Sequence, residues 1–132
     1  ESEIFLFTSD FKEGWGAILN EAMSNGCVVV ASCAAGSAPY LIEDGKNGLI
    51  FKVNDSNDAY EKVKCLLNNE ESRQKISSNA VHTITSLWNY EVAAERFVQT
   101  VNSITENNEA DLFPDGPMSK AEVIKNNWYK GN

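Results

Sequence analysis

Glu13-Gly14-Trp15-Gly16-Ala17-Ile18-Leu19-Asn20-Glu21 places two carboxylates eight positions apart around a glycine-flanked turn. The apolar run Ile4-Phe5-Leu6-Phe7 precedes it, and a helical apolar pattern leads out of it. That order predicts strand, tight turn, helix. A helix N-terminus after a Gly-rich turn offers unpaired N–H groups and a positive dipole end, which suits an anion such as phosphate. Glu21 follows Ile18 by three residues and Ala17 by four, so on a helix the three share one face, expected to pack on the sheet. A carboxylate buried there is costly without hydrogen-bond donors. A ligand rich in hydroxyls, such as a ribose, would supply them.

Outward from this segment, strand and helix signals alternate up to about residue 69. Residues 3–8 read as a strand that is apolar nearly throughout, the pattern of a strand covered on both faces. The helix is expected over 15–25 and ends at Asn25-Gly26, a C-cap signal. Residues 27–32 read as a second buried strand, and Ser37-Ala38-Pro39 opens a short helix through Glu43. Asp44 to Gly48 forms a turn before a third strand, Leu49 to Val53. This β-α-β-α-β order implies parallel strands with right-handed crossovers.

Three helices are expected next. The first carries Ala59, Val63, Leu66 and Leu67 on one stripe after a cap at Asp55 or Ser56. The second runs from about 70 to 85 with Ile76, Ala80 and Ile84 inward. The third, over about 90–104 and capped by Asn89, turns Ala93, Phe97, Val101 and Ile104 to one face. The predicted fold class is therefore α/β, a partial Rossmann-like parallel sheet of about three strands flanked by helices, then C-terminal helices. Residues 1–105 form one domain. Residues 106–132 are a polar tail with a short helix around 120–128.

The motif also resembles that of a known family. Glu13 to Glu21 is similar to the E-x7-E motif of retaining glycosyltransferases of the GT-B fold, especially glycosyltransferase family 4. The match extends from Thr8-Ser9 through Glu21-Ala22-Met23 to Gly26, then to Val28-Val29-Val30-Ala31-Ser32. It continues through Gly36-Ser37-Ala38-Pro39 and Asp44-Gly45-Lys46-Asn47-Gly48. Trp88-Asn89-Tyr90-Glu91 resembles the family's Phe-Ser-Trp-Glu segment. Six linked elements in order over residues 3 to about 104 make a specific match.

The resemblance implies transfer of a sugar from a nucleotide-sugar, such as a UDP- or GDP-sugar, to an acceptor hydroxyl with retention of configuration. It implies that Glu13 acts near the reacting carbon; read without the resemblance, Glu13 is a first-turn acid that complements the helix dipole. Glu21 would accept hydrogen bonds from the ribose hydroxyls. The backbone N–H groups of Trp15, Gly16 and Ala17 would face the donor, Gly14 and Gly16 allowing close approach. Trp15 and Ile18 either line the site or simply pack. Tyr40 stands where many members carry Glu after Pro39, and the only histidine, His82, reads as a helical surface or half-buried residue.

No metal or other cofactor is implied. The basic Arg/Lys pair that meets the donor's diphosphate in the family has no match here, nor do the earlier β-α units or the acceptor-binding N-terminal domain. The expectation is therefore a donor-binding C-terminal part, inactive alone, whose acceptor glycan, lipid or protein reaches it through that other domain. A cytoplasmic setting, peripheral at the inner membrane face in the full-length protein, goes with this reading.

Composition agrees with a soluble domain. The 132 residues are 42% apolar and carry a net charge of −8, which argues against a nucleic-acid groove or polybasic membrane patch. No apolar run is long enough to span a bilayer, and no signal-peptide pattern opens the chain. Cys27, Cys33 and Cys65 show no metal-ligand spacing, and an odd count argues against a complete disulfide framework; they read as free thiols packed as small hydrophobes. Two other readings stand beside the transferase. One is a non-catalytic module that dimerises through the exposed strand at residues 3–8. The other is a GT-B-type nucleotide-sugar epimerase, which fold alone would not separate.

Overall fold

A computed structural model of the chain describes residues 2–106 and 113–120. Three strands, β1 (Ile4–Phe7), β2 (Val28–Ser32) and β3 (Leu49–Phe51), form one parallel sheet in the order β1-β2-β3. Ile4 pairs with Val28 and Phe7 with Ala31, while Val30 pairs with Leu49 and Ser32 with Phe51. Among the described residues five helices accompany them: α1 (Ile18–Ser24), α2 (Ala38–Leu41), α3 (Ser56–Asn68), α4 (Glu70–Ser86) and α5 (Tyr90–Thr105). The α/β class and the parallel three-stranded sheet expected from the sequence are both present.

β2 is central and every one of its residues is buried. Its β-branched run suits a strand covered on both faces. Alternation along β2 divides the core into two layers. Val29 and Ala31 pack with Leu19, Met23, Leu41, Ala80 and Ile84 on one side. Val28 and Val30 pack with Leu49, Phe51, Leu66 and Ile76 on the other. β1 is an edge strand, and its faces depart from expectation: Leu6 is 47% exposed. Its apolar run is not covered on both faces among the described residues.

Helix boundaries follow local chemistry. Asp55 caps α3 by accepting from the Asp58 N–H at 2.9 Å, Asn69 caps α4 through Ser72, and Asn89 caps α5 through Val92. β3 ends at Phe51, earlier than expected, because the chain turns through Asn54 in the left-handed region. α4 buries Ile76, Ala80 and Ile84 as its period predicts. In α3, Leu66 is buried but Leu67 is 66% exposed: one helical step of about 100° carries it past the contact.

α5 differs most from expectation. Phe97, Val101 and Ile104 are exposed, Ala93 is half-buried, and Thr100 is its one buried residue. The adjoining flank of the helix is taken by the segment 113–119. Arg96 stacks over the Phe113 ring at 4.4 Å and donates to the carbonyls of Asp115 and Pro117. The polar side of the helix is thus the one held. The cysteines are free thiols, but Cys65 lies exposed and is not a packed hydrophobe. The short helix expected over 120–128 lies, apart from Lys120, outside the described residues.

Candidate functional site

Because all three strands run the same way, the loops after β1, β2 and β3 leave from one edge of the sheet. In open α/β sheets ligands bind outside the carboxyl ends of the strands. The loop from Thr8 to Ala17 holds Glu13, Gly14, Trp15 and Gly16 there, and α1 brings Ile18 and Glu21 just behind it.

The first half of the loop is a local turn: the Glu13 N–H donates to Asp10 O at 3.1 Å, and Ser9 Oγ donates to Glu13 Oε2 at 3.1 Å. Gly16 then takes φ +75°, a conformation a side chain rarely adopts and one that an α-helix cannot continue through. This is why α1 begins at Ile18 and not at residue 15. Trp15 to Ala17 are loop, and among the described residues nothing accepts from their backbone N–H groups. A methyl at Gly16 would lie 3.3 Å from the Phe7 ring, so this glycine also lets the loop sit down on β1.

A second loop clamps the first. The Ser37 N–H donates to Trp15 O at 2.9 Å, and a methyl at Gly36 would overlap the Gly14 carbonyl oxygen. Gly36 therefore lets two backbones touch directly behind Glu13. The Trp15 indole lies between Tyr40 and Trp88, with ring centroids 5.9 and 5.4 Å away, and its N–H donates to Asn20 Oδ1 at 2.9 Å. Trp15 is thus partly a packing residue, fixed on several sides, while keeping 40% of its surface open.

The carboxylates sit differently from the sequence reading. Ala17, Ile18 and Glu21 do share a face of α1, but that face is exposed and does not pack on the sheet. Leu19, Ala22 and Met23 form the packed side instead. Glu21 is therefore not a buried carboxylate in need of donors. Glu13 is exposed as well. Both acids, the glycine loop and a half-apolar helix face are presented outward together.

Neither of two sizeable hollows includes these acids. A groove of about 560 Å³ runs between Leu6, Phe51 and α3, and a cleft of about 450 Å³ lies between α2 and α4. His82 lines the second and is exposed on α4. Sequence reasoning missed Gly36 as a packing partner of Gly14. It also missed Trp88 as a partner of Trp15, since neither pair is close in sequence.

An open parallel sheet with a glycine loop and two acids at its carboxyl edge defines an open α/β domain of the Rossmann-like class. The match to known proteins is more specific. The family model "Glycosyl transferases group 1" covers residues 1–83, and the chain belongs to that family. Trehalose synthase of Pyrococcus horikoshii is 32% identical over 103 residues, 78% of this chain and 24% of that protein. The C-terminal domain of the group 1 glycosyl transferase LpcC from Francisella tularensis has 32% identity and a TM-score of 0.59, over 64% of this chain and 42% of that one. Anabaena HepE, solved in complex with UDP, has 25% identity and a TM-score of 0.70, over 76% of this chain and 28% of that one. The fold is thus that of GT-B glycosyltransferases. The chain spans from 16% to 26% of the length of the curated relatives it matches.

Proposed function

We propose that this chain supplies the donor-binding half of a retaining glycosyltransferase that moves a sugar from a nucleotide-sugar to an acceptor hydroxyl. The observation that carries the reading is the outward face made by Glu13, the Gly14–Ala17 loop, Ile18 and Glu21 at the carboxyl edge of the sheet. An exposed face that joins two carboxylate acceptors, an apolar residue and unpaired backbone N–H groups, behind a backbone clamp that fixes it, suits a ligand with a sugar ring and hydroxyls whose phosphate oxygens meet the N–H groups and not the acids. The UDP complex of HepE is consistent with such a donor.

In this reading Glu13 lies beside the anomeric carbon and stabilises the positive charge that builds there as the bond to the diphosphate breaks. The N–H groups of Trp15, Gly16 and Ala17 meet the donor's sugar or phosphate oxygens, and Glu21 accepts from the ribose hydroxyls. Ile18 covers one apolar edge of the donor. The charge gathering on the leaving diphosphate calls for basic groups, and these would come from outside this chain. Acceptor glycan, lipid or protein would likewise be held by another domain, so the chain alone is expected to be inactive. No metal takes part in this scheme. The intact protein would work in the cytoplasm, peripheral at the inner membrane face.

Calorimetry or ligand-detected NMR of the chain with UDP, GDP and ADP and their sugars tests the reading, with Glu21→Ala as control. Selective binding abolished in the variant is the expected result and names the base. Binding that Glu21→Ala leaves unchanged overturns the assignment of Glu21. In an intact enzyme, Glu13→Ala is expected to collapse turnover with the fold preserved, and Glu21→Ala mainly to weaken nucleotide binding. Wild-type kinetics in both would sink the site.

The edge position of β1 and the exposure of Leu6 favour one second reading, a module that pairs through this strand with another copy. A strict monomer by light scattering at high concentration would count against it.

A further inference from the structure

The cleft between α2 and the C-terminal half of α4 is separate from the glycine loop and unused by the donor scheme. At about 450 Å³ it falls within the ~300–1,000 Å³ usual for small-molecule sites. Its walls are of two kinds. Tyr40 and Trp88 give aromatic surface, while Glu43, Asn79, His82 and Ser86 give polar groups.

The framework around the cleft is tied down by hydrogen bonds. Asn47 spans it from one side to the other: its amide donates to Leu41 O and Thr83 Oγ1, both at 3.0 Å, and its side-chain oxygen accepts from the Glu43 N–H at 2.8 Å. Asn79 donates to Lys46 O at 2.8 Å, closing the far end and leaving its own side-chain oxygen for a ligand. A buried asparagine that uses both donors and its acceptor to hold two elements apart makes the space between them a fixed feature.

The chemistry of this lining selects among ligands. Lys46 is paired with Glu43 at 2.7 Å, and Asp115 adds a further acid at the rim. A phosphate or other anion would meet these acids, and the one cation among the described lining residues, Lys46, is already paired. A purely apolar ligand would leave the amide, imidazole and carboxylate groups unpaired. A neutral saccharide satisfies both walls: its C–H face lies on an aromatic ring, and its hydroxyls both donate and accept. Tyr40 keeps 37% of its surface open for such stacking.

We propose that this cleft is a binding site for a neutral saccharide, distinct from the donor site and on the other side of the Trp15 stack. Trp15 touches both Tyr40 and Trp88 but does not itself line the cleft. A sugar seated there would therefore bear on rings that also fix the glycine loop, and occupancy would reach the loop through Trp15. The inference does not rest on the donor-site reading: it needs only the cleft and its lining.

The test uses the 132-residue chain with no nucleotide present. Methyl α-D-glucopyranoside and maltotriose are titrated while amide shifts and saturation transfer to the sugar C–H groups are followed. Expected are saturable shifts at Tyr40, His82, Ser86 and the Trp88 indole, with the Trp15 indole moving as a secondary response. Tyr40→Ala should weaken binding roughly tenfold or more, the scale of about 1.4 kcal/mol. Tyr40→Phe, which keeps the ring, should retain it. His82→Ala, on an exposed helix position, should weaken binding without disturbing the fold.

Shifts centred on residues 13–21 that compete with UDP would place the sugar at the donor site and overturn the proposal. So would the absence of saturable shifts, or equal binding in wild type and Tyr40→Ala. Inorganic phosphate is titrated in parallel, and tighter binding of phosphate at the same residues would also overturn it. Since UDP is added only afterwards, failure here leaves the donor-site reading untouched.

Discussion

α4 and α5 are neighbours in sequence, similar in length and both capped by asparagine, yet they carry their apolar residues to opposite fates. α4 has a thin stripe, Ile76, Ala80 and Ile84, and buries all of it. α5 has a stronger one, Ala93, Phe97, Val101 and Ile104, and leaves most of it open, Phe97 at 57% and Ile104 at 60% exposure with Ala93 half-buried. Period tells which residues share a face. It does not tell whether anything lies opposite. α4 has β2 and α1 to pack against, whereas among the described residues α5 is met by the segment at 113–119, on its Arg96 and Thr100 side.

The sharpest way to break this comparison is one substitution made in each helix. Ile84→Ala removes a residue buried among Leu19, Met23 and Trp88, and should cost about 2–5 kcal/mol. Ile104→Ala should stay within about 0.5 kcal/mol. Urea unfolding of both variants reads the difference directly. An equally large loss at Ile104 would mean that its face is covered in solution.

The same contrast explains what the sequence could disclose. β2 was legible because five small or β-branched residues in a row admit little but a central strand. The caps at Asp55 and Asn89 were legible because capping is chemistry between residues three apart. The face of Glu21 was not. Ala17, Ile18 and Glu21 and the alternative set Leu19, Ala22 and Met23 both lie at helical spacing, and packing on the sheet chose the second. Nor was the start of α1, since the left-handed turn at Gly16 depends on how the loop seats against Phe7. The candidate site was therefore named residue by residue, but its outward presentation and its backbone clamp emerged only in three dimensions.

The clamp itself offers the next largest effect. Gly36→Ala puts a methyl where the Gly14 carbonyl oxygen lies, and backbone cannot yield as a flexible side chain would. Overpacking of this kind costs about 1–3 kcal/mol. The damage should be concentrated in the Glu13–Ala17 loop, read as amide shift changes there and a loss of Trp15 indole dispersion. Gly14→Ala is the control, because the space around its own Cβ position is empty. If both variants behave alike, the two loops are not braced against each other.

Smallest, and most telling about α5, is the pair of cap substitutions. Asn69 and Asn89 each accept from the N–H three residues on at 2.9 Å, so the bond removed by alanine is the same in both, about 1 kcal/mol. Asn89 also donates to Thr85 O at 2.9 Å, which ties the start of α5 back to the end of α4. In Asn69→Ala the loss should appear as global stability, because α4 unfolds only with the core it packs against. In Asn89→Ala it should appear as faster amide exchange along α5 alone, with the denaturation midpoint shifted less, since a helix with few tertiary contacts opens on its own. Equal global losses would show that α5 is joined to the core more firmly than its exposed stripe indicates.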